Sequence, residues 1–530
     1  MSNTPKLNLS KIRLAPNWVW ITLPALLFVI AWEPIGLTPL LWLAFIPFFV
    51  LHQRLTVASR WKYFGNIYLA LLGWNATTTW WVFYASAAGG VSMLILNTLF
   101  MCIPFLIWRF AEKKGLSGWN GFLLFTLAWV LYEYGHHRWD LSWPWLTLGN
   151  GLSSAPWMIQ WYEWTGTLGG TLWVLWLNYF IYKLLLDPTR RLKQAISLLV
   201  LVPTLVSLIL LAYRTNTEGN EIKVAVMQPS FNPWNEKFDR DPVEMQQEMQ
   251  QISMSGIDSS TNWLLWPETS MVRSMDIDYL DRNAQVLMLK RDLIEQFPNL
   301  QIVTGFHGIK YYREQKKPTR SARKSTYDPN VYYDVYNSAL HLAKDSQSKY
   351  YHKSKLVPGT EQMPFIHTIP FLEQLAITLD ENSITGSLGV SDSAYSLGYS
   401  EPVAPIICYE SIYGDYVRSY VKKGATWLGI ITNDAWWENT PGYHQHYSYA
   451  KLRAIEFRKW VARSANTGTS GFIDPVGNSY DETSWYAKTC IQRTISANNI
   501  KTLYLYIGDL GVLVIYSLMV LVIYLWKRPS

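Results

Sequence analysis

The chain has 530 residues, 49% of them hydrophobic and 16% charged, with 46 Lys and Arg against 39 Asp and Glu for a formal charge of +7. Three cysteines, Cys102, Cys408 and Cys490, are too few for a disulfide framework. There is no internal repeat or low-complexity tract.

The apolar residues are concentrated in long runs. A bilayer core takes about 20 mostly apolar residues per helix, and the runs predict spans near 17–34, 37–53, 65–85, 91–110, 119–134, 165–186 and 194–213, with one more near 504–526. Lys6, Lys11 and Arg13 flank the first span, Arg54, Arg60 and Lys62 follow the second, Arg109, Lys113 and Lys114 the fourth, and Arg190, Arg191 and Lys193 the sixth. With seven spans in a row these four clusters fall on one face, which Lys527 and Arg528 join, and such clusters mark the cytoplasmic side. The net charge is thus mostly topology, and it leaves no basic stripe for nucleic acid. Residues 215–503 are then expected outside, in the periplasm of a two-membrane bacterium. The first run has the basic head and apolar core of a secretory signal, but no small-residue cleavage site follows, so it is expected to remain as a helix. The stretch 135–145 (GHHRWDLSWPW) reads as an interfacial aromatic loop, and Glu163 and Asn178, at and within the sixth span, are expected to help seat a lipid.

From Ile222 the pattern changes to short β-rich runs: IKVAVMQPS, NWLLWPE, QIVTGFHG, YNSALHLA, APIICYE, WLGIITND and WVARSANTG running into TSGFIDPVG. Helix-like periodicity occupies roughly 242–255, 278–296, 411–423 and 443–459. Alternation of this kind predicts a layered α/β domain. The organisation expected is a membrane domain over 1–214, a catalytic domain over 215–503 and a last transmembrane helix over 504–530.

The chemistry gathers at strand ends. Glu268 closes WPE, Lys353 and Glu361 lie in YHKSKLVPGTE, and Cys408 stands between the run 403–407 and a helix-like pattern near Ser411. A cysteine attacks as thiolate, and a helix start beside the sulfur is expected to lower its pKa. Glu268 suits the general base and Lys353 a fixed positive charge beside a developing oxyanion. Taken singly, each also has a structural reading: a small buried Cys, a Glu at a turn, a Lys in solvent. Their joint occurrence favours an acyl-transfer site. In GYHQHYSYA, His444 and His446 are two apart and do not share a helix face, and no carboxylate or Cys spacing completes a metal set, so neither metal nor cofactor is expected. A bridge between Cys408 and Cys490 would abolish the thiol chemistry.

WPE, then KxxLVPxxE, then CYE and TNDAWW resemble the nitrilase superfamily, in which Glu, Lys and Cys form the catalytic triad. Together with the flanking apolar runs, LVPGTE, ICYE, NDAWW and RSANTG resemble the apolipoprotein N-acyltransferase family over nearly the whole chain. The resemblance implies an α-helical transmembrane bundle of about eight spans with an α/β nitrilase-like αββα sandwich domain, in a bacterial inner membrane. It implies transfer of an acyl chain from a phospholipid, typically phosphatidylethanolamine, to Cys408 as a thioester, and then to the N-terminal amine of an S-diacylglyceryl-cysteine lipoprotein. Glu268, Lys353 and Cys408 match the triad, Glu361, Tyr409 and Glu410 match supporting positions, and Asn433 and Trp436 are expected to shape the substrate pocket. Lys353 rather than Lys355 matches because it stands three residues before LVP. LVPGTE departs from the family's LVPFGE at Gly359 and Thr360. The alternatives are a membrane-tethered amidase in which water resolves the thioester, and a non-catalytic lipid-binding protein.

Overall fold

The computed structural model describes residues 15–214, 218–234, 236, 237, 239–314, 316–365, 369 and 388–526. Lys6, Lys11, Arg13, Lys527 and Arg528, used above for orientation, lie outside the described residues. Two compact units result: one from the described residues within Met1–Phe83, Ala87–Tyr213 and Tyr506–Ser530, the other from those within Arg214–Leu505 together with Tyr84–Ser86.

The first unit is helical, with α1 (Asn17–Ala31), α2 (Ile46–Leu55), α3 (Arg60–Thr79), α4 (Ala87–Lys113), α5 (Gly118–His136), α6 (Tyr162–Leu186), α7 (Arg190–Arg214) and a last helix, Leu503–Trp526. Each predicted span therefore coincides with helical residues. Among the described residues, four segments have the length and apolarity to cross a membrane: Thr38–Leu55, Ala87–Lys113, Arg190–Arg214 and Leu503–Leu525. Of the others, α1 has only 15 residues, and α3, α5 and α6 bury polar side chains such as Asn75, Glu133 and Asn178.

Those polar groups are tied to protein. Asn97 donates to the Asn75 side-chain oxygen at 2.7 Å, and Tyr132 donates to Asn97 at 3.0 Å, linking α3, α4 and α5. Asn178 accepts from the Phe45 amide at 2.8 Å and donates to the carbonyls of Leu41 and Val174 at 2.7 and 2.8 Å. This corrects the expectation that Asn178 seats a lipid, because an amide so engaged staples α6 to the chain before α2. The 135–145 stretch also differs from a simple interfacial loop. Trp145 is fully buried and packs against Trp81 and Trp143, with ring centroids 4.7 and 5.4 Å away.

The second unit holds two sheets. In the larger, β1 (Asn220–Gln228), β2 (Trp263–Leu265) and β4 (Gln301–Arg313) run parallel, with β13 (Thr489–Ala497) antiparallel on β1 and β6 (Val331–Leu342) antiparallel on β4. The strands β3 (Met271–Asp276), β5 (Arg323–Lys324) and β7 (Lys349–His352) attach to β4, β6 and β6 respectively. The smaller sheet has the order β12-β11-β10-β9-β8, formed by β8 (Val403–Ile407), β9 (Trp427–Thr432), β10 (Val461–Ala465), β11 (Gly471–Ile473) and β12 (Ser479–Tyr480), with β8, β9 and β10 parallel. Every residue of β8, β9 and β10 is buried. That is why VAPII and WLGIIT read as unbroken apolar runs rather than alternating ones.

Met245 and Met249 of α8 (Pro242–Met254) and Val286 and Leu289 of α9 (Ala284–Leu289) pack with Met227, Leu264, Trp266 and Ile302 over the larger sheet. The smaller sheet carries α10 (Gly414–Lys422) and α11 (Pro441–Phe457). Between the sheets, Trp263 meets Trp427 at 5.4 Å, and Ser464 donates to the Met227 carbonyl at 2.7 Å. The layering is helix, sheet, sheet, helix, as the nitrilase-like αββα expectation requires. β3, β5, β7, β12 and β13 fall outside the predicted runs.

Candidate active site

Three strand ends build the site. Beyond β2, the Trp266 amide donates to the Val303 carbonyl and the Gly305 amide to the Pro267 carbonyl, at 2.8 and 3.1 Å, so WPE is laced to β4. The approach demands glycine at 305: a Cβ there would lie 2.3 Å from the Thr269 nitrogen and 2.6 Å from the Glu268 Cα. Lys353 follows β7 directly, with its amide bonded to the Asn337 carbonyl at 2.8 Å. Glu361 closes the LVPGTE turn, its carboxylate accepting from the Val357 amide at 2.9 Å. Gly359 has φ +86°, a region that residues with a side chain rarely adopt. The departure from LVPFGE therefore gives the turn its own backbone shape, yet Glu361 still reaches Lys353.

The charged groups converge. Lys353 Nζ lies 3.2 Å from Glu268 Oε1 and 2.8 Å from Glu361 Oε1, with Lys353 and Glu268 buried and the Glu361 side chain 17% exposed. Asn337 Nδ2 donates to the same two oxygens at 2.7 and 3.1 Å. Burial opposes ionisation of Glu268, but Lys353, Asn337 and the nearby Lys237 outweigh it and hold its carboxyl below the usual range. Burial likewise works against the Lys353 ammonium, and Glu268 and Glu361 overcome it, so Lys353 stays charged.

Cys408 is the first residue past β8, at φ +49°. A non-glycine residue held there costs roughly 1–3 kcal/mol and is retained where surroundings over-determine it. Ile407 pairs with Ile431 across β8 and β9, so Cys408 leaves the sheet beside Thr432, the last residue of β9. The expected lowering of the thiol pKa is overturned. Burial and the negative charge of Glu268 push it well up, and Lys353 and the Thr432 hydroxyl offset this only in part. Burial is the largest cause, and no regular helix start offsets it, because Cys408–Ile412 is a five-residue 3-10 turn and the helix α10 begins only at Gly414. At rest the proton stays on sulfur. The thiol is free, as is Cys490, which sits in the core beneath α8.

Glu410 is fully buried and works through the backbone. Its Oε1 accepts from the Ser354 amide at 2.7 Å and from Tyr351 at 2.6 Å, while Oε2 accepts from the Ile407 amide at 3.0 Å and from Tyr420 at 2.9 Å. One carboxylate thus fixes the residue before the thiol to the residue after Lys353. Tyr409 is buried and packs edge-on to Tyr413 at 5.3 Å. Asn433 is buried, its side-chain oxygen accepting from Asn466 Nδ2 at 3.1 Å and from the Ala435 amide at 3.3 Å. Trp436 is half-buried and meets the exposed Trp234 edge-on at 5.1 Å. His446 takes no part in a metal cluster among the described residues. Instead its Nδ1 lies 2.9 Å from Asp434 Oδ1 and its Nε2 3.2 Å from the Cys408 carbonyl oxygen.

Residues 24–180 match the apolipoprotein N-acyltransferase N-terminal domain and residues 311–504 match the carbon-nitrogen hydrolase family. An apolipoprotein N-acyltransferase from Chlorobaculum tepidum is 27% identical, covering 89% of this chain and 89% of its own. Those from Rickettsia prowazekii and Geobacter metallireducens are 28% and 22% identical, covering 67% and 93% of this chain and 66% and 92% of their own. The chain is thus similar to apolipoprotein N-acyltransferases over most of its length.

Other residues at the site are not among the expected ones. Asn337 bridges Glu268 and Glu361 from the middle of β6, where a polar residue in a buried strand is the only sequence signal. Lys237 donates to the Glu268 carbonyl at 3.0 Å, and Arg463 to Asp434 at 2.8 Å. Both are buried cations; Arg463 opens the RSANTG run, whereas nothing local marks Lys237.

Proposed function

We propose that the protein is an apolipoprotein N-acyltransferase working through Cys408, Glu268 and Lys353. The observation that carries this reading is the buried Glu268–Lys353–Glu361 cluster whose charges bear on the Cys408 thiol at the end of β8. The raised thiol pKa makes Glu268 necessary as base. Its carboxylate takes the proton from sulfur as sulfur attacks the ester carbonyl of a phospholipid. The Lys353 ammonium, already charged, offsets the negative charge that develops on the carbonyl oxygen. Glu268 then returns the proton to the departing alkoxide, and a lysophospholipid leaves.

The second half runs through the same groups. The α-amine of an S-diacylglyceryl-cysteine lipoprotein attacks the thioester, Glu268 takes one of its protons, and the amide forms as the thiolate departs and is reprotonated. The substrates assigned are phosphatidylethanolamine as donor and a diacylglyceryl lipoprotein as acceptor. Trp436 and Trp234 line the acyl-chain path, Glu361 holds Lys353, and Glu410 and Tyr409 keep the turn around Cys408 in place. Lys and Arg clusters in the short loops support an inner-membrane protein with residues 215–503 in the periplasm.

Purified enzyme in detergent or proteoliposomes, given phosphatidylethanolamine labelled in its sn-1 chain and a diacylglyceryl lipopeptide, is expected to yield N-acylated lipopeptide and lysophospholipid in equal amounts. Labelled free fatty acid in place of the amide would instead favour the amidase reading, and no turnover of either kind would favour a lipid-binding protein.

A further inference from the structure

Glu268 is flanked by two buried ammonium groups. Lys353 is one. The other, Lys237, is 1% exposed and comes from the loop between β1 and α8. Its Nζ donates to the Glu268 backbone carbonyl at 3.0 Å and to the Thr269 hydroxyl at 2.7 Å. Both acceptors belong to the turn in which Thr269 is held at φ +51°. A buried lysine normally loses its charge unless an anion lies close, and the carboxylate near Lys237 is that of Glu268.

The groups whose charges bear on Glu268 complete a balance. Lys353 after β7 touches one carboxylate oxygen, Glu361 reaches Glu268 through Lys353 and Asn337, and Cys408 lies past β8. His307 on β4 is kept neutral by burial, with its pKa lowered to about 4. Two carboxylates therefore face two ammonium groups. Without Lys237 the cluster carries one net negative charge before any proton has left sulfur.

We propose that Lys237 is a positioning residue for the acyl-transfer reaction: it fixes the turn that carries Glu268 and supplies the second positive charge that keeps this carboxylate ionised and ready to take the Cys408 proton. The proposal rests on Glu268 acting as base for Cys408. Burial brings the Lys237 pKa down to about 8, with Glu268 opposing that fall, so Lys237 is charged on the acid side of that value, where the acid limb lies. The charge has a definite sign of effect. An adjacent cation favours the carboxylate form and typically shifts such a group by about 1–3 pK units, and the acid limb of the rate profile reports the coupled cluster as a whole.

The test is the pH dependence of thioester formation on Cys408, followed by intact mass in full-length enzyme with phospholipid and no acceptor. In K237M and K237Q the acid limb is expected to move up by about one pH unit, whereas K237R, which keeps the charge, and Thr269→Ala, which removes one hydrogen bond but not the charge, leave it in place. A second readout, the rate of Cys408 carbamidomethylation by iodoacetamide against pH, is expected to shift in the same direction without a lipid donor. If both neutral variants lose rate equally at every pH, with the limb unmoved, Lys237 acts only as a structural tie and the proposal is wrong. If wild-type enzyme forms no thioester at Cys408, it is the underlying reading of the site that has failed.

Discussion

Two buried ionic clusters lie close to the same cysteine, and they are built differently. Asp434, Arg463 and His446 are all 0% exposed, and Asp434 accepts from Arg463 at 2.8 Å, from His446 at 2.9 Å and from Thr432 at 3.2 Å. The Glu268, Lys353 and Glu361 cluster has a partly exposed member, and the Asn337 side-chain oxygen beside it has no partner among the described residues. A charged cluster shut wholly from solvent has little freedom to exchange protons, and its work is to fix backbone. The more open cluster can pass a proton between sulfur, carboxylate and substrate. Proximity to the thiol alone therefore does not separate machinery from scaffold; the access each cluster leaves to its carboxylates does.

Substitutions sharpen that contrast. Lys353→Ala removes the charge from the oxyanion and leaves Glu268 and Glu361 facing each other, so acylation is expected to fall by at least 10²–10³-fold, roughly the loss for one oxyanion donor. Stopped-flow release of lysophospholipid measures this, and an acylation rate within a few-fold of wild type would remove Lys353 from the chemistry. Glu268→Gln keeps the shape and loses the base, for an expected loss of about 10²–10⁴-fold in both half-reactions. A variant slowed in only one half would show that another group serves the other.

Asp434→Asn tests the closed cluster. Breaking a buried pair on one side costs about 3–5 kcal/mol, so thermal unfolding is expected to drop sharply while the folded enzyme retains far more turnover than Glu268→Gln. Burial opposes ionisation of Asp434, yet Arg463 and His446 hold its carboxyl below the usual range. The sign follows: a depressed folded pKa gives stability that is present above the ordinary carboxylate range and lost as pH falls through the folded value. Acid unfolding of the wild type should show this loss, and Asp434→Asn should flatten it. In the helical unit, Asn178→Leu removes three hydrogen bonds together with one partner of each, leaving the Phe45 amide unmatched, with an expected cost of about 1–3 kcal/mol. An unchanged unfolding midpoint would restore the lipid-seating role that the buried amide otherwise excludes.

Much of this was legible in the chain. The helices could be located because apolar runs of membrane length are conspicuous, and the Cys408 turn because a buried parallel strand reads as an uninterrupted apolar run that stops at Ile407. Other features depend on contacts between distant residues. Asn337 meets Glu268 across 69 positions and Lys237 meets it across 31, and no local pattern records either pairing. The strand β13 was hidden by its polar side chains, although its residues pair with β1 from Asn220↔Ala497 to Gln228↔Thr489. The thiol pKa is not legible in the chain because a helix-like pattern near Ser411 does not say where the regular helix starts, and because burial, the largest influence on that sulfur, is a property of the fold.

The central claim is that the Cys408 sulfur carries the acyl chain between donor and acceptor. Full-length enzyme incubated with phosphatidylethanolamine of a single acyl composition and analysed by intact and peptide mass spectrometry tests it most directly. The account predicts one acyl adduct on the peptide containing Cys408, released by hydroxylamine, discharged on addition of diacylglyceryl lipopeptide, and missing in Cys408→Ser. Transfer to lipopeptide by Cys408→Ser, or an adduct on another residue that discharges at the turnover rate, would contradict it.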